Sequence, residues 1–421
     1  MNFSASYRAL DESAARAFRL LGLHPGPEFS LPVAAALVGM NDQAARRQLD
    51  VLVDADLLQF TGSDRYRLHE LLRGHALEQA RADEAADQVT TARRRGLVWY
   101  LRTVDNGHKV VLPNFHDVPL PDDDLPVEPL TFPDVDAAME WFELERTNLM
   151  SALETAMREE QYDIAWRLPA VTCGFFELRG YWTAWRDNHE TGLSAARHAG
   201  DRYGEACNYL GLGDAKWLLR DRDGALECYR ESTRLAQEVG DPWIEGFSLR
   251  QTGVILYEQK RIDEAVDAIE RAIEVFRTSG EQRGRGMALI TLGDCLRARQ
   301  DHAAAVERCR EAVTIFTEIG DRWSIAWGRC ALGLALGEAG EYAESLAHNQ
   351  DALAVFREFG NKRNEARALI GIGEAQQALG RLDEVRRASA EALTILDSLD
   401  DPQLADLRER AERLDVDGGD G

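Results

Sequence analysis

Glycine stands at positions 200, 240, 280, 320 and 360, and again at 213, 253, 293, 333 and 373, so the chain repeats itself every 40 residues. A period of this size belongs to stacked supersecondary units, none of which can bury its apolar face without a neighbour. The register therefore predicts an all-α solenoid for the larger part of the chain.

Aligned on the second glycine set, the units read YLGLGDAKWLL, LRQTGVILYEQ, LITLGDCLRAR, RCALGLALGEA and LIGIGEAQQAL. A second small-residue set follows at Ala225, Ala265, Ala305 and Ser345, broken by Val385, with Ser232, Ala272, Ala312, Ala352 and Ala392 seven positions on. Seven residues are two helical turns, so both sets share a face and let a second backbone approach, while Leu235, Val275, Ile315, Val355 and Ile395 reach toward the next unit. Each unit reads as a helical hairpin, and Gly-Asp, Gly-Glu or Gly-Asn between hairpins is the left-handed stop of one helix.

Leu212-Gly213, Leu292-Gly293 and Leu332-Gly333 in the first helix, with Ala225 and Ala265 in the second, resemble the tetratricopeptide repeat. Six residues beyond the usual period of about 34 would lengthen the two helices by about 9 Å in total. The register assigns 201–400 to five repeats and 136–200 to a leading helix, Asp136 to Met157, and a degenerate repeat. Pro402 to Leu414 reads as a capping helix, and the tail from Asp415 to Gly421 is expected to be disordered.

The formal charge of −24 disfavours nucleic acid as a partner of the solenoid, because DNA affinity rests on neutralising phosphates. Residues 1–80, with 8 Arg against 10 Asp and Glu, are the one stretch where DNA remains open. Six cysteines lack CxxC spacing and fall in apolar repeat slots, so they read as reduced packing residues. No apolar run approaches the ~20 residues of a membrane span and the start lacks a signal-peptide core, which makes the expected compartment cytoplasmic.

Before the solenoid, Ala14, Phe18 and Leu21 mark a helix over Asp11–Leu23, stopped by His24-Pro25-Gly26-Pro27. A second helix is expected over Leu31–Val38 and a third from Asn41 or Asp42 to Ala55, then a hairpin of Leu57–Phe60 and Arg65–Leu68 around Thr61-Gly62-Ser63-Asp64. Three helices and a hairpin make a winged helix in 1–80. Such modules often read DNA with the third helix, but here Arg46 and Arg47 are offset by Asp50 and Asp54, which favours a regulatory or packing role.

The strings YRALDESAARAFRLLGLHPGPEFSLPVAAAL, RRQLDVLVDADLLQF, RYRLHELLRGHALEQA and WFELERTNLMSAL closely resemble the segment that follows the nucleotide-binding domain in actinobacterial AfsR-like STAND regulators. The resemblance implies a winged helix that packs on an NB-ARC ATPase domain, here or on a separate chain, followed by signal-sensing repeats. By the same resemblance His69 would contact bound nucleotide, with Glu70 where the family motif has Asp; the alternative is that His69 merely caps the next helix. No GxxxxGK[ST] loop or Gly-Lys dipeptide occurs, so no self-sufficient ATPase is expected.

Between the two regions, 81–135 reads as a connecting helix and a linker with six of the 12 prolines, from Pro113 to Pro133. Its interleaved apolar residues favour a docked strap, whereas Asp122-Asp123-Asp124 alone would favour free exposure. No metal-ligand spacing, nucleophile elbow or dinucleotide loop is present, so neither enzyme activity, nor a cofactor, nor a metal site is expected.

The surface left for function is the inner face of the first helices. One and four residues beyond the repeat glycine come Asp214 and Trp217, Tyr257, then Asp294 and Arg297; three and six before it come Arg250 and Trp327. Aromatic, Arg and Asp side chains together suit a protein or peptide partner, although an ordinary solvated face would look similar. Three readings stay open: a repeat sensor coupled to the winged helix of a STAND regulator, a stand-alone DNA-binding regulator with a peptide-binding groove, and a scaffold.

Overall fold

The computed structural model describes residues 3–399 and 404–417 and forms two compact units, Met1–Val239 and Gly240–Gly421. Helices of 17 or 18 residues alternate with tight turns from Arg202 onward, which accounts for the length of the period. Gly200, Gly240, Gly280, Gly320 and Gly360 all have φ between +66° and +80°. The next residue then caps the following helix: the side chains of Asp201, Asp241, Glu281, Asp321 and Asn361 each accept a backbone N–H three positions on. Each such dipeptide ends one helix and starts another. Within the hairpins the left-handed position recurs at Arg220, Lys260, Gln300, Gly340 and Gly380, so the backbone turns every 20 residues.

The second glycine set has a different cause. A Cβ at Gly213 would lie 2.5 Å from Tyr229, one at Gly253 2.4 Å from Ile269, one at Gly293 2.6 Å from Cys309, and one at Gly333 2.4 Å from Asn349. The residue sixteen positions on fills the space each glycine leaves, so the close approach is mainly of a side chain onto a backbone. Ala225, Ala265, Ala305, Ser345 and Val385 are all fully buried, and Val385 fits the slot that seemed to need a small residue.

In the first unit, helices Glu12–Leu21, Leu31–Val38 and Asp42–Asp54 are followed by strands Gln59–Gly62 and Arg65–Arg67. Asn41 caps the third helix, accepting from Ala44 N at 2.9 Å. A third strand, Glu28–Ser30, pairs with Arg65–Arg67 and makes the sheet three-stranded; its three residues follow a Pro-Gly-Pro turn and carry no periodic signal. Helix Ala86–Val111 lies on this module, with Gly96 so close to Leu37 that a Cβ would sit 2.9 Å from its side chain. The leading helix is Val135–Arg158, and the degenerate repeat consists of Tyr162–Ala165, Arg167–Arg179 and Trp182–Ala199. A single apolar core runs through all of these elements, from Phe18 and Leu37 through Trp99 and Phe142 to Trp166 and Trp185.

The proline-rich strap closes over helix Ala86–Val111. Trp99 Nε1 donates to Glu128 O at 3.2 Å, Arg102 to Pro121 O at 2.6 Å and Asn106 to Leu130 O at 2.8 Å. Arg94 grips Asp123 at 2.6 and 2.9 Å and Asp163 at 2.8 Å, so one of the three aspartates is a tether while Asp122 faces solvent. Carbonyls that proline leaves without a ladder are satisfied by side chains of the helix beneath.

The second unit stacks four hairpins, from Pro242–Glu258 with Ile262–Ser279 to Lys362–Ala378 with Leu382–Leu399. Helix Ala405–Asp417 closes it, with Ala411 and Leu414 buried and Leu414 filling the space over Gly373. The backbone at 415–417 continues this helix where a disordered tail was expected; Pro402 and residues 418–421 lie outside the described residues. All six thiols are free, and burial pushes Cys228 up to about 11 and Cys295 and Cys309 up to about 12.

Candidate functional site

The inner face of the second unit brings together most of the side chains that the register singles out. Arg297 lies at its centre: it donates to Asp294 at 3.0 Å one turn back and through Nε to Glu338 at 3.0 Å on the neighbouring helix Arg322–Glu338. Burial alone would depress the Arg297 guanidinium, but the bond to Glu338 and the charge of Asp294 outweigh it and the net shift is upward. Burial likewise opposes ionisation of Glu338, and Arg297 reverses it. Tyr257 is half-buried in the same field, its hydroxyl raised by burial and by Asp294.

A second ion pair sits beside the first. Arg410 of the closing helix donates to both oxygens of Glu374 at 2.8 Å. Between the pairs opens a cavity of about 400 Å³, lined by Arg297, Glu338, Tyr342, Glu374, Asp406 and Arg410 over a floor of Gly333, Gly337 and Gly371. Arg250 reaches from helix Pro242–Glu258 to stand 5.9 Å over the Trp327 ring, a cation–π contact two repeats apart. Glu374 stands one residue beyond its glycine, at the same offset as Asp214 and Asp294, whereas Glu338 and Arg410 escape the register offsets: Glu338 lies five residues beyond Gly333 and Arg410 lies outside the repeat.

Asp214 and Trp217 belong to the first unit. Asp214 accepts from Tyr229 OH at 2.8 Å, and Glu177, in the slot equivalent to Trp217, is raised to about 7 by the crowding of protein around it and by Asp214, although its side chain still reaches solvent. His69 is exposed, and its Nδ1 accepts weakly from Leu71 N at 3.4 Å as the cap of helix Glu70–Asp83. Arg46 is paired with Asp64 at 3.0 Å across the hairpin turn.

One polar cluster had no signal in the sequence. Glu145, 1% exposed in the leading helix, takes an ion pair from Arg65 of the hairpin, a bond from Tyr100 OH at 2.9 Å and one from Asn148 at 2.6 Å. Tyr100 OH also meets His24 Nε2 at 2.9 Å, and Asn148 donates to Glu28 O at 2.9 Å. A buried charge of this kind is tolerable only when its lone pairs are satisfied, and here three partners come from separate stretches of chain.

Comparison with known proteins agrees with this architecture. The tetratricopeptide repeat family matches residues 246–318 and 324–398. Regulatory protein AfsR of Streptomyces coelicolor is 29% identical over 299 residues, which is 67% of this chain and 29% of that protein. AfsR of Streptomyces griseus is likewise 29% identical, over 296 residues. This is an AfsR-like tetratricopeptide-repeat chain. It spans less than a third of the length of the AfsR proteins it matches.

Two solved structures share the fold of the AfsR-like chain. A STAND protein with a tetratricopeptide repeat sensor from Pyrococcus horikoshii superposes over 100% of this chain and 62% of its own, with TM-score 0.50 and 15% identity. Aspartyl phosphate phosphatase F from Bacillus subtilis covers 94% of this chain and 96% of its own, with TM-score 0.52 and 12% identity. At such identities the likeness is one of fold. The repeats of the AfsR-like chain form a regulatory protein-interaction domain. No helix among the described residues is long and apolar enough to cross a membrane.

Proposed function

We propose that the AfsR-like chain is a cytoplasmic sensor in which the repeats bind a protein or peptide on their inner face and pass its presence to a winged-helix module at the N-terminus. The observation that carries this reading is the Glu145 cluster. It ties the hairpin of that module, the long helix and the leading helix of the repeats into one buried core. A displacement at the start of the repeats cannot leave Arg65 in place without stranding a buried charge. That gives the module and the repeats a physical linkage, which a freely tethered DNA-binding domain would lack.

The Arg46–Asp64 pair weighs against the DNA-reading alternative, since the third helix then offers little net positive charge. Exposed His69 and Leu71, with Phe60 on the neighbouring strand, leave the module a surface on which an NB-ARC domain or a separate ATPase chain could be met. The nucleotide-sensing role of His69 belongs to that arrangement alone.

The test uses the full chain immobilised in native extract, beside Trp217→Ala and Arg297→Ala variants. The proposal expects at least one partner to be lost from the variants. Hydrogen exchange at residues 59–67 should then change when the recovered partner is added back, and less so in Glu145→Gln. Equal recovery by all three proteins sinks the groove, and an unresponsive hairpin sinks the coupling.

A further inference from the structure

The repeat over 322–358 departs from its neighbours at three slots. Gly337 stands where the other repeats carry Trp217, Tyr257, Arg297 and Gln377, Ser345 where three of them carry Ala225, Ala265 and Ala305, and Asn349 where they carry Tyr229, Ile269, Cys309 and Ser389. The side chain missing at Gly337 leaves room for the cavity of about 400 Å³, and a Cβ there would meet nothing nearer than Ser345 Oγ at 3.3 Å. That volume is in the range of small-molecule pockets. Asn349 is fully buried and donates to Ser345 O at 2.9 Å, but its Oδ1 has no hydrogen-bond partner among the described residues. This acceptor packs against the bare faces of Gly333 and Gly371, both residues of the cavity floor. A buried acceptor is costly to leave unsatisfied.

The charged walls favour one sign of guest. Arg297 holds Glu338 and Arg410 holds Glu374, yet the carboxylates are the groups turned to solvent: their side chains are 39% and 40% exposed, against 15% and 19% for the two guanidiniums. Asp406, also on the lining, has no ion pair among the described residues. Glu338, Glu374 and Asp406 against Arg297 and Arg410 leave the lining one negative charge in excess. His302 Nδ1 stands 3.4 Å from Glu338 but does not line the cavity. Tyr342, 37% exposed, adds an aromatic ring, and Leu334 and Ala375 add apolar wall.

We propose that this cavity binds a small organic monocation, an ammonium or guanidinium group on a short apolar stem. Carboxylates already fixed by arginine need no reordering to accept its N–H groups, and a cation beside Tyr342 gains from the face of the ring. A donor of the guest, directly or through one water, satisfies Asn349 Oδ1 beneath the floor. An anion meets the excess carboxylate, and a polycation meets the two guanidiniums with a single charge left to balance it. The cation is either a free amine or guanidine or the basic side chain of a larger partner; the chemistry is shared. The inference goes beyond the reading of the inner face as a protein or peptide groove and stands without it.

The experiment titrates the full chain with n-pentylammonium, n-pentylguanidinium, neutral pentanol and anionic pentanoate by ligand-observed NMR. The buffer holds about pH 8, above the ordinary histidine range, and about 150 mM salt to screen non-specific attraction to the acidic surface. The proposal expects one or both cations to bind at least ~10-fold more tightly than pentanol, the bonus of a charge-assisted contact, and pentanoate not to bind. Gly337→Tyr, which restores a side chain like that of Tyr257, should abolish cation binding. Asp406→Asn should weaken it about 2- to 5-fold, and Asp406→Lys, which makes the excess charge positive, should abolish it. Circular dichroism checks that the variants fold, and the exposed Asp406 variants carry the decision if Gly337→Tyr does not. A further arm uses lysine acetylated at Nα and capped as its methylamide: binding as tight as that of pentylammonium assigns the basic side chain of a partner, and its exclusion assigns a free amine. No preference for the cations over pentanol, or cation binding unchanged by Gly337→Tyr or by Asp406→Lys, overturns the proposal. Capture of a protein partner succeeds or fails separately.

Discussion

Acid should loosen the first unit long before the carboxylates of the protein titrate. Burial, the dominant cause in each case, holds His24 at about 3 and His108 and His189 at about 4, against an ordinary value of 6.5. All three lie in the first unit, and neither ring nitrogen of His108 has a hydrogen-bond partner among the described residues. A histidine depressed in the folded state stays neutral there while the unfolded chain takes up a proton. Its contribution is therefore intact above pH 6.5 and lost as pH falls toward the folded value. At pH 5 the loss is about 2 kcal/mol per histidine, so the drop between pH 7 and pH 5 is roughly 5 kcal/mol for the three together. Glu177, held up at about 7, acts in the opposite sense, but its side chain is open to solvent and its weight is small.

Native-state hydrogen exchange, corrected for the intrinsic pH dependence, reads this unit by unit. The best-protected amides of helix Ala86–Val111 should lose about three to four orders of magnitude of protection between pH 7 and pH 5. Residues 240–421 hold none of these three histidines and serve as the internal reference. His108→Leu, which also removes the orphaned nitrogens, should recover about 2 kcal/mol at pH 5 with little change at pH 7. Flat protection in the first unit across this range, or no gain from His108→Leu, would refute the reasoning.

The glycine register makes two further predictions, each with an internal control. Gly253→Ala drives a methyl to 2.4 Å from Ile269 and 3.2 Å from Ala265 O, so overpacking of about 1–3 kcal/mol should exceed the ~1 kcal/mol gained in helix propensity. Gly74→Ala, with nothing within 4 Å, should stabilise by up to ~1 kcal/mol; urea midpoints of the same sign for both would contradict the packing account. Gln300→Gly should stabilise by about 0.5–1 kcal/mol by relieving a left-handed backbone at φ 64°, and Gly280→Ala at φ 80° should cost about 1 kcal/mol. Thermal unfolding of the two variants checks the sign.

The 40-residue register alone determined a great deal: the all-α repeat fold, the turn glycines, the buried cysteines, and the helix faces on which Tyr257, Arg297 and Trp327 meet. Those features are local or periodic, and a helix with a fixed stop and a fixed cap converts sequence spacing directly into position. The resemblance to AfsR-like regulators was likewise legible, because it lives in contiguous strings. Only the tertiary structure decided that Arg297 is bound to Glu338 and Arg410 to Glu374, and that Glu145 is sealed against Arg65 and Tyr100. The contact between Arg65 and Glu145 spans 80 positions with no periodic relation, and a carboxylate in a polar string looks the same whether it faces water or a buried guanidinium. Pairing of charges is settled by which helices pack together, and that is the information a one-dimensional pattern does not carry.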